Sequence, residues 1–87
     1  MKAVILYQPN TELESSVEEY VREFGRETGK SIALVDSDST QGIDIAQLYD
    51  IVQFPAIVVF RDDGSFVDSW AERDKWPTVS ELSYYNE

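Results

Sequence analysis

Three short apolar runs and one long amphipathic stripe organise this chain. Residues 3–7 read Ala-Val-Ile-Leu-Tyr, unbroken between Lys2 and Gln8-Pro9-Asn10, and predict a strand buried on both faces. From Thr11 the period changes: Leu13, Val17, Tyr20, Val21 and Phe24 fall on one side of a helix, with Glu12, Glu18, Glu19, Arg22, Glu23, Arg26 and Glu27 opposite. Gly25 or Gly29 ends the helix, and Gly29, followed by Lys30, better suits the residue just past its end. Residues 31–36 predict a second strand, closed by the polar stretch 36–42. A short helix follows, with Asp44 near its start and Ile45, Leu48, Tyr49 and Val52 on one side. Pro55 interrupts it, because proline lacks a donor and disfavours helix in the residue before it. Residues 56–60, Ala-Ile-Val-Val-Phe, predict a third buried strand. Asp63-Gly64 is a hairpin signal that returns the chain as a strand over residues 66–70. Residues 71–75 form a polar connection. A terminal helix then starts at Trp76-Pro77-Thr78 and runs to Tyr85, with Pro77 suited to a first turn.

The predicted order is β-α-β-α-β-β-α. A strand–helix–strand unit requires parallel pairing, whereas five loop residues between the last two strands require an antiparallel pair. A four-stranded mixed sheet with helices on both faces buries all three apolar runs. The 87 residues suit one domain, 1–87, and leave no room for two.

Composition narrows the chemistry. The chain contains no Cys and no His, which removes thiol chemistry, disulfides, imidazole acid–base catalysis and zinc sites built on those ligands. Seventeen acidic against seven basic residues give a net charge of −10, a surface that repels nucleic acid and anionic lipid heads. The excess is spread through both halves. No apolar run reaches the length of a membrane span, and Lys2 leads directly into a strand, so cytoplasmic residence is the expectation.

Residues 45–64, Ile-Ala-Gln-Leu-Tyr-Asp-Ile-Val-Gln-Phe-Pro-Ala-Ile-Val-Val-Phe-Arg-Asp-Asp-Gly, following Val35-Asp-Ser-Asp, resemble the second half of the thioredoxin-like superfamily. The likeness runs over roughly residues 32–68, and the first strand and helix suit the same topology. It implies a compact, glutaredoxin-sized thioredoxin-like fold and a cis peptide at Phe54–Pro55; a plain trans proline is the alternative, since a strand start tolerates one. Redox members of the family carry Cys-x-x-Cys at the start of the first helix. Those positions fall here on Thr11-Glu12-Leu13-Glu14, so dithiol–disulfide exchange is excluded. In their place Thr11 and Glu14 form the pattern of a capping box, each side chain satisfying the other's backbone N–H. Glutathione is not expected, because Trp70-Ala-Glu-Arg-Asp74 carries acids and no glycine pair where that branch holds the tripeptide's carboxylate.

The resemblance also implies a groove beside Pro55 where an extended peptide could pair with the backbone of Phe54, with Gln8, Thr11 and Trp70 nearby. The alternative is a filled groove, with Phe54 packed on Tyr7 or the first helix. Trp76, Tyr84 and Tyr85, with Trp70, offer a second surface for a partner or a homodimer, or else a satellite core. Asp36-x-Asp38-x-Thr40 has a faint likeness to a calcium loop, but Gly42 and Gln47 fall wrongly for one, and capping of the next helix accounts for it better. The expectation is therefore a non-catalytic protein- or peptide-interaction module with no metal or cofactor. The competing reading is an enzyme or redox-related protein using non-thiol residues or a partner's cysteines, for which no nucleophile–base pair is visible.

Overall fold

The structure, a computed structural model, describes residues 1–85. In chain order it comprises β1 (Lys2–Tyr7), α1 (Glu14–Thr28), β2 (Ala33–Asp36), α2 (Thr40–Leu48), β3 (Ala56–Phe60), β4 (Phe66–Trp70), a 3₁₀ turn (Arg73–Lys75) and α3 (Val79–Ser83). The strands form one mixed sheet in the order β2-β1-β3-β4. β1 and β2 are parallel; β3 is antiparallel to both β1 and β4.

Alternation along the two central strands divides the core. Ala3 and Ile5 of β1 with Ile57 and Val59 of β3 face α1 and α3, meeting Val17, Tyr20, Phe24, Trp76, Val79 and Leu82. Val4, Leu6, Ala56 and Val58 face the other way, toward Val35 and Ile51, the α2 side chains Ile45 and Ala46, and Tyr49 just past the helix. Both faces are covered, which is why these strands read as unbroken apolar runs. Phe24 and Leu82, each fully buried, anchor α1 and α3 to the same face.

Local chemistry sets the ends of the helices. Gly29, at φ 72°, closes α1 and donates its N–H to Gly25 O at 2.9 Å, a left-handed cap that glycine adopts without steric cost. α2 begins earlier than the apolar spacing suggests, because Ser39 caps it: its Oγ accepts the Gly42 N–H at 3.0 Å. A side chain at Gly42 would place its Cβ 2.1 Å from Asp36 O, so only glycine lets the helix start this close to the end of β2.

Several expectations need correction. β2 spans four residues; Ser31 and Ile32 precede it, although Ile32 is buried. α2 stops at Leu48, and Asp50 turns the chain at φ 58°. Val52, expected inside, therefore falls beyond the helix and is 84% exposed, and Leu48, the last residue of α2 and also expected inside, is 70% exposed. α3 is shorter than its expected span, and Pro77 precedes its cap residue, Thr78, instead of occupying the first turn. One expectation needs no correction: the Phe54–Pro55 peptide is cis, as the resemblance implies, and not trans. No helix among the described residues is long and apolar enough to cross a membrane.

Candidate functional site

At one end of the sheet, the chain leaving β1 turns into α1 opposite the segment that enters β3. Between them lies a cleft of about 290 Å³, lined by Tyr7, Gln8, Thr11, Glu12, Leu13, Glu14, Val17, Phe54 and Pro55. It shares Gln8, Leu13, Phe54 and Pro55 with a broader hollow that extends to Val52 and to residues 71–74. Four of the five expected groove residues, Gln8, Thr11, Phe54 and Pro55, are thus brought together. Residues 52–55 lie beyond the last β1–β3 pair, Leu6 with Ala56, so they edge the groove without belonging to the ladder.

Trp70, the fifth, does not line the groove. It is paired across the sheet with Ile57, and cross-strand partners share a face, so its ring lies on the α1–α3 side, edge-on to Tyr85 with centroids 5.6 Å apart. Phe54 lines the groove together with Tyr7 and also packs against the α2-side core.

The capping box expected at Thr11 and Glu14 is not formed. α1 begins at Glu14, its cap residue is Leu13, and no side chain caps it. The Thr11 hydroxyl donates backward to Gln8 O at 2.8 Å. The Glu14 carboxylate reaches past Thr11 and accepts the Asn10 N–H at 2.6 Å. The cause is Asn10, held at φ 64°, a conformation that asparagine tolerates better than most residues. That turn points its own N–H, and not that of Thr11, at Glu14. Thr11 is therefore engaged with a carbonyl, a group that cannot act as its base.

The second expected surface is mostly interior. Trp76 is buried in the core, with its ring at 77° to that of Tyr20 and centroids 5.1 Å apart. Tyr85 is half-buried against Trp70. Tyr84, 75% exposed, alone of that set points outward. The 3₁₀ turn is tied to α1 by Arg73, whose guanidinium carbon lies 5.1 Å from the Tyr20 ring centre and 4.9 Å from that of Trp76, with an Nη2 donation to Ser16 O at 3.5 Å. Tyr20 donates its hydroxyl to Pro77 O at 2.8 Å. Burial, opposed by the nearby Arg73 charge, pushes its pKa up to about 12. Around residues 36–42 the polar atoms serve the backbone: Asp36 Oδ1 accepts the Asp38 N–H, and the Ser39 hydroxyl donates to Asp36 O while capping α2. Among the described residues no three acidic side chains converge as a metal site.

Sequence reasoning missed Leu13, Val52 and residues 71–74 as groove residues. Leu13 and Val52 carried a signal: Leu13 opens one apolar stripe and Val52 closes the other, and the end of a stripe is where a side chain can leave the core.

No family model and no curated protein matches this chain. A solved structure is similar to it. This is a malarial protein with a TM-score of 0.64 and 13% identity, matched over 95% of this chain and 89% of that one. At that identity the likeness shows a shared fold alone.

Proposed function

We propose that this chain is a thioredoxin-like domain without dithiol chemistry, and that it binds an extended polypeptide segment in the groove between residues 8–17 and residues 52–55. The strand order β2-β1-β3-β4 with a single parallel pair supports the fold reading, together with the sequence resemblance over residues 32–68. The observation that carries the binding reading is an open apolar groove rimmed by side chains the core has released. Leu13 is 43% and Val52 is 84% exposed, and both line the hollow that Phe54 and Pro55 line. Extended peptides bind such sites through main-chain hydrogen bonds, with side-chain pockets adding selectivity, and this needs no sulfur.

Selection of displayed random peptides against the immobilised chain tests the reading. Peptides with apolar centres should enrich on the wild-type protein and be lost on a Leu13→Asp, Val52→Asp double variant, both sites being exposed enough to accept charge without unfolding. Equal enrichment on the two proteins would refute it. An insulin-reduction assay should stay flat.

A further inference from the structure

The charges around the groove say which peptides it would take. Four carboxylates line it and its adjoining hollow: Glu12, Glu14, Glu72 and Asp74. Glu12, Glu72 and Asp74 are exposed. The single basic residue among the lining side chains is Arg73, and its guanidinium is drawn inward over the Tyr20 and Trp76 rings. Glu72 has a salt-bridge partner in Lys75 at 3.3 Å, but both side chains are more than half exposed, and a pair so hydrated retains little of its mutual attraction. The Glu14 carboxylate accepts one bond from Asn10 N–H, which leaves its charge in place. An apolar floor is thus bordered by negative charge on two sides, α1 on one and the 3₁₀ turn on the other.

We propose, resting on the peptide-groove reading, that the occupant is a cationic extended segment. An apolar residue of that segment sits on Leu13, Phe54 and Pro55, and flanking lysine or arginine side chains meet Glu12 and Glu14 toward α1 and Glu72 and Asp74 toward the 3₁₀ turn. The net charge of −10 adds long-range attraction for such a segment and repels acidic ones, an effect that falls as salt shortens the screening length. Exposed single pairs contribute little, so selectivity comes from the number of carboxylates that act together.

Three synthetic peptides test this: acetyl-Gly-Lys-Lys-Val-Leu-Val-Lys-Lys-Gly-amide, its counterpart with glutamate for every lysine, and its counterpart with glutamine. Each is fluorescein-labelled and titrated with the full chain by anisotropy. The lysine peptide should bind about tenfold tighter than the glutamine peptide at ~20 mM salt, with most of that advantage gone at ~200 mM. A Glu12→Gln, Asp74→Asn double variant should weaken the lysine peptide by about threefold to tenfold. A Glu19→Gln, Glu27→Gln variant, which removes equal charge from the outer face of α1, should change it by less than about twofold, so general attraction to an acidic protein is separated from groove recognition. Equal binding of the lysine and glutamine peptides, both lost in the Leu13→Asp, Val52→Asp variant, would overturn the cationic proposal while the peptide groove stands. Preference for the glutamate peptide, abolished by Arg73→Gln, would overturn it in favour of an acidic segment. Equal loss from both charge-removal variants would also overturn it. Absence of binding by all three peptides would overturn it together with the groove reading.

Discussion

The same four-residue pattern, Thr-x-x-Glu, occurs twice in this chain, and the two copies do different things. At residues 78–81 it closes. The Thr78 hydroxyl accepts the Glu81 N–H at 3.2 Å, and Glu81 Oε1 accepts the Thr78 N–H at 3.3 Å, so α3 starts with a complete capping box. At residues 11–14 it does not, and α1 starts on Leu13 with no side-chain cap. The backbone that arrives makes the difference. Thr78 is extended, at φ −64° and ψ 160°, and follows Pro77, which is the conformation a capping residue needs. Thr11 follows Asn10 at φ 64°, and the tightened turn diverts both members of the pattern to Gln8 and Asn10. A cap signature therefore reports a helix start only where the preceding residue lets the chain approach extended. The unsealed end is also the end that lines the groove.

Packing behind each helix should outweigh either cap, and the largest predicted effects lie there. Phe24→Ala should cost about 3–5 kcal/mol and Leu82→Ala about 2–5 kcal/mol in urea unfolding, since both remove fully buried side chains. Next comes the strap between the two helices. Tyr20→Phe leaves the Pro77 carbonyl without its donor and should cost about 1–3 kcal/mol. The caps follow, and they break the comparison most sharply: Thr78→Ala should cost about 1 kcal/mol, whereas Thr11→Ala should stay within about 0.5 kcal/mol. Equal losses would mean that the two starts are held alike.

The remaining effects are in pH. Because the folded pKa of Tyr20 stands near 12 against an ordinary 10.0, the stability tied to its neutral form is complete below pH 10.0 and declines as pH rises from there to about 12. Spectrophotometric titration should find one late tyrosine, absent from Tyr20→Phe. Asp63 behaves in the opposite sense. Hydrogen bonds from the Ser65 N–H and hydroxyl hold its carboxyl below the usual 3.8, so its contribution is present above 3.8 and fades as pH falls below it. Carbon-detected NMR should place its midpoint under that value, and Ser65→Ala should raise it.

The sheet and its two-sided core were legible in the sequence because unbroken runs such as residues 3–7 and 56–60 have few other ways to be buried. The turn at Asp63-Gly64 and the cap at Gly29 were legible for the same reason, since each follows from local backbone chemistry. Element ends were harder. Ser39 starts α2 through one side-chain bond, and Asp50 stops it through one backbone angle, neither of which leaves a periodic trace. The groove was half legible. Gln8, Thr11, Phe54 and Pro55 lie near one another once β1 and β3 pair, but Trp70 required the β3–β4 register, and Val52 required knowing that α2 had already ended. Composition leaves Trp76 between interface and satellite core, because it counts aromatics without showing that one of them packs against Tyr20 and Arg73.

Amide chemical-shift mapping of a display-selected peptide onto the ¹⁵N-labelled chain tests the central claim most directly. The account predicts that shifted amides cluster in residues 8–17 and 52–55, with a weaker set in residues 71–74. Shifts confined to the exposed sheet edges, β2 over Ala33–Asp36 or β4 over Phe66–Trp70, would contradict it.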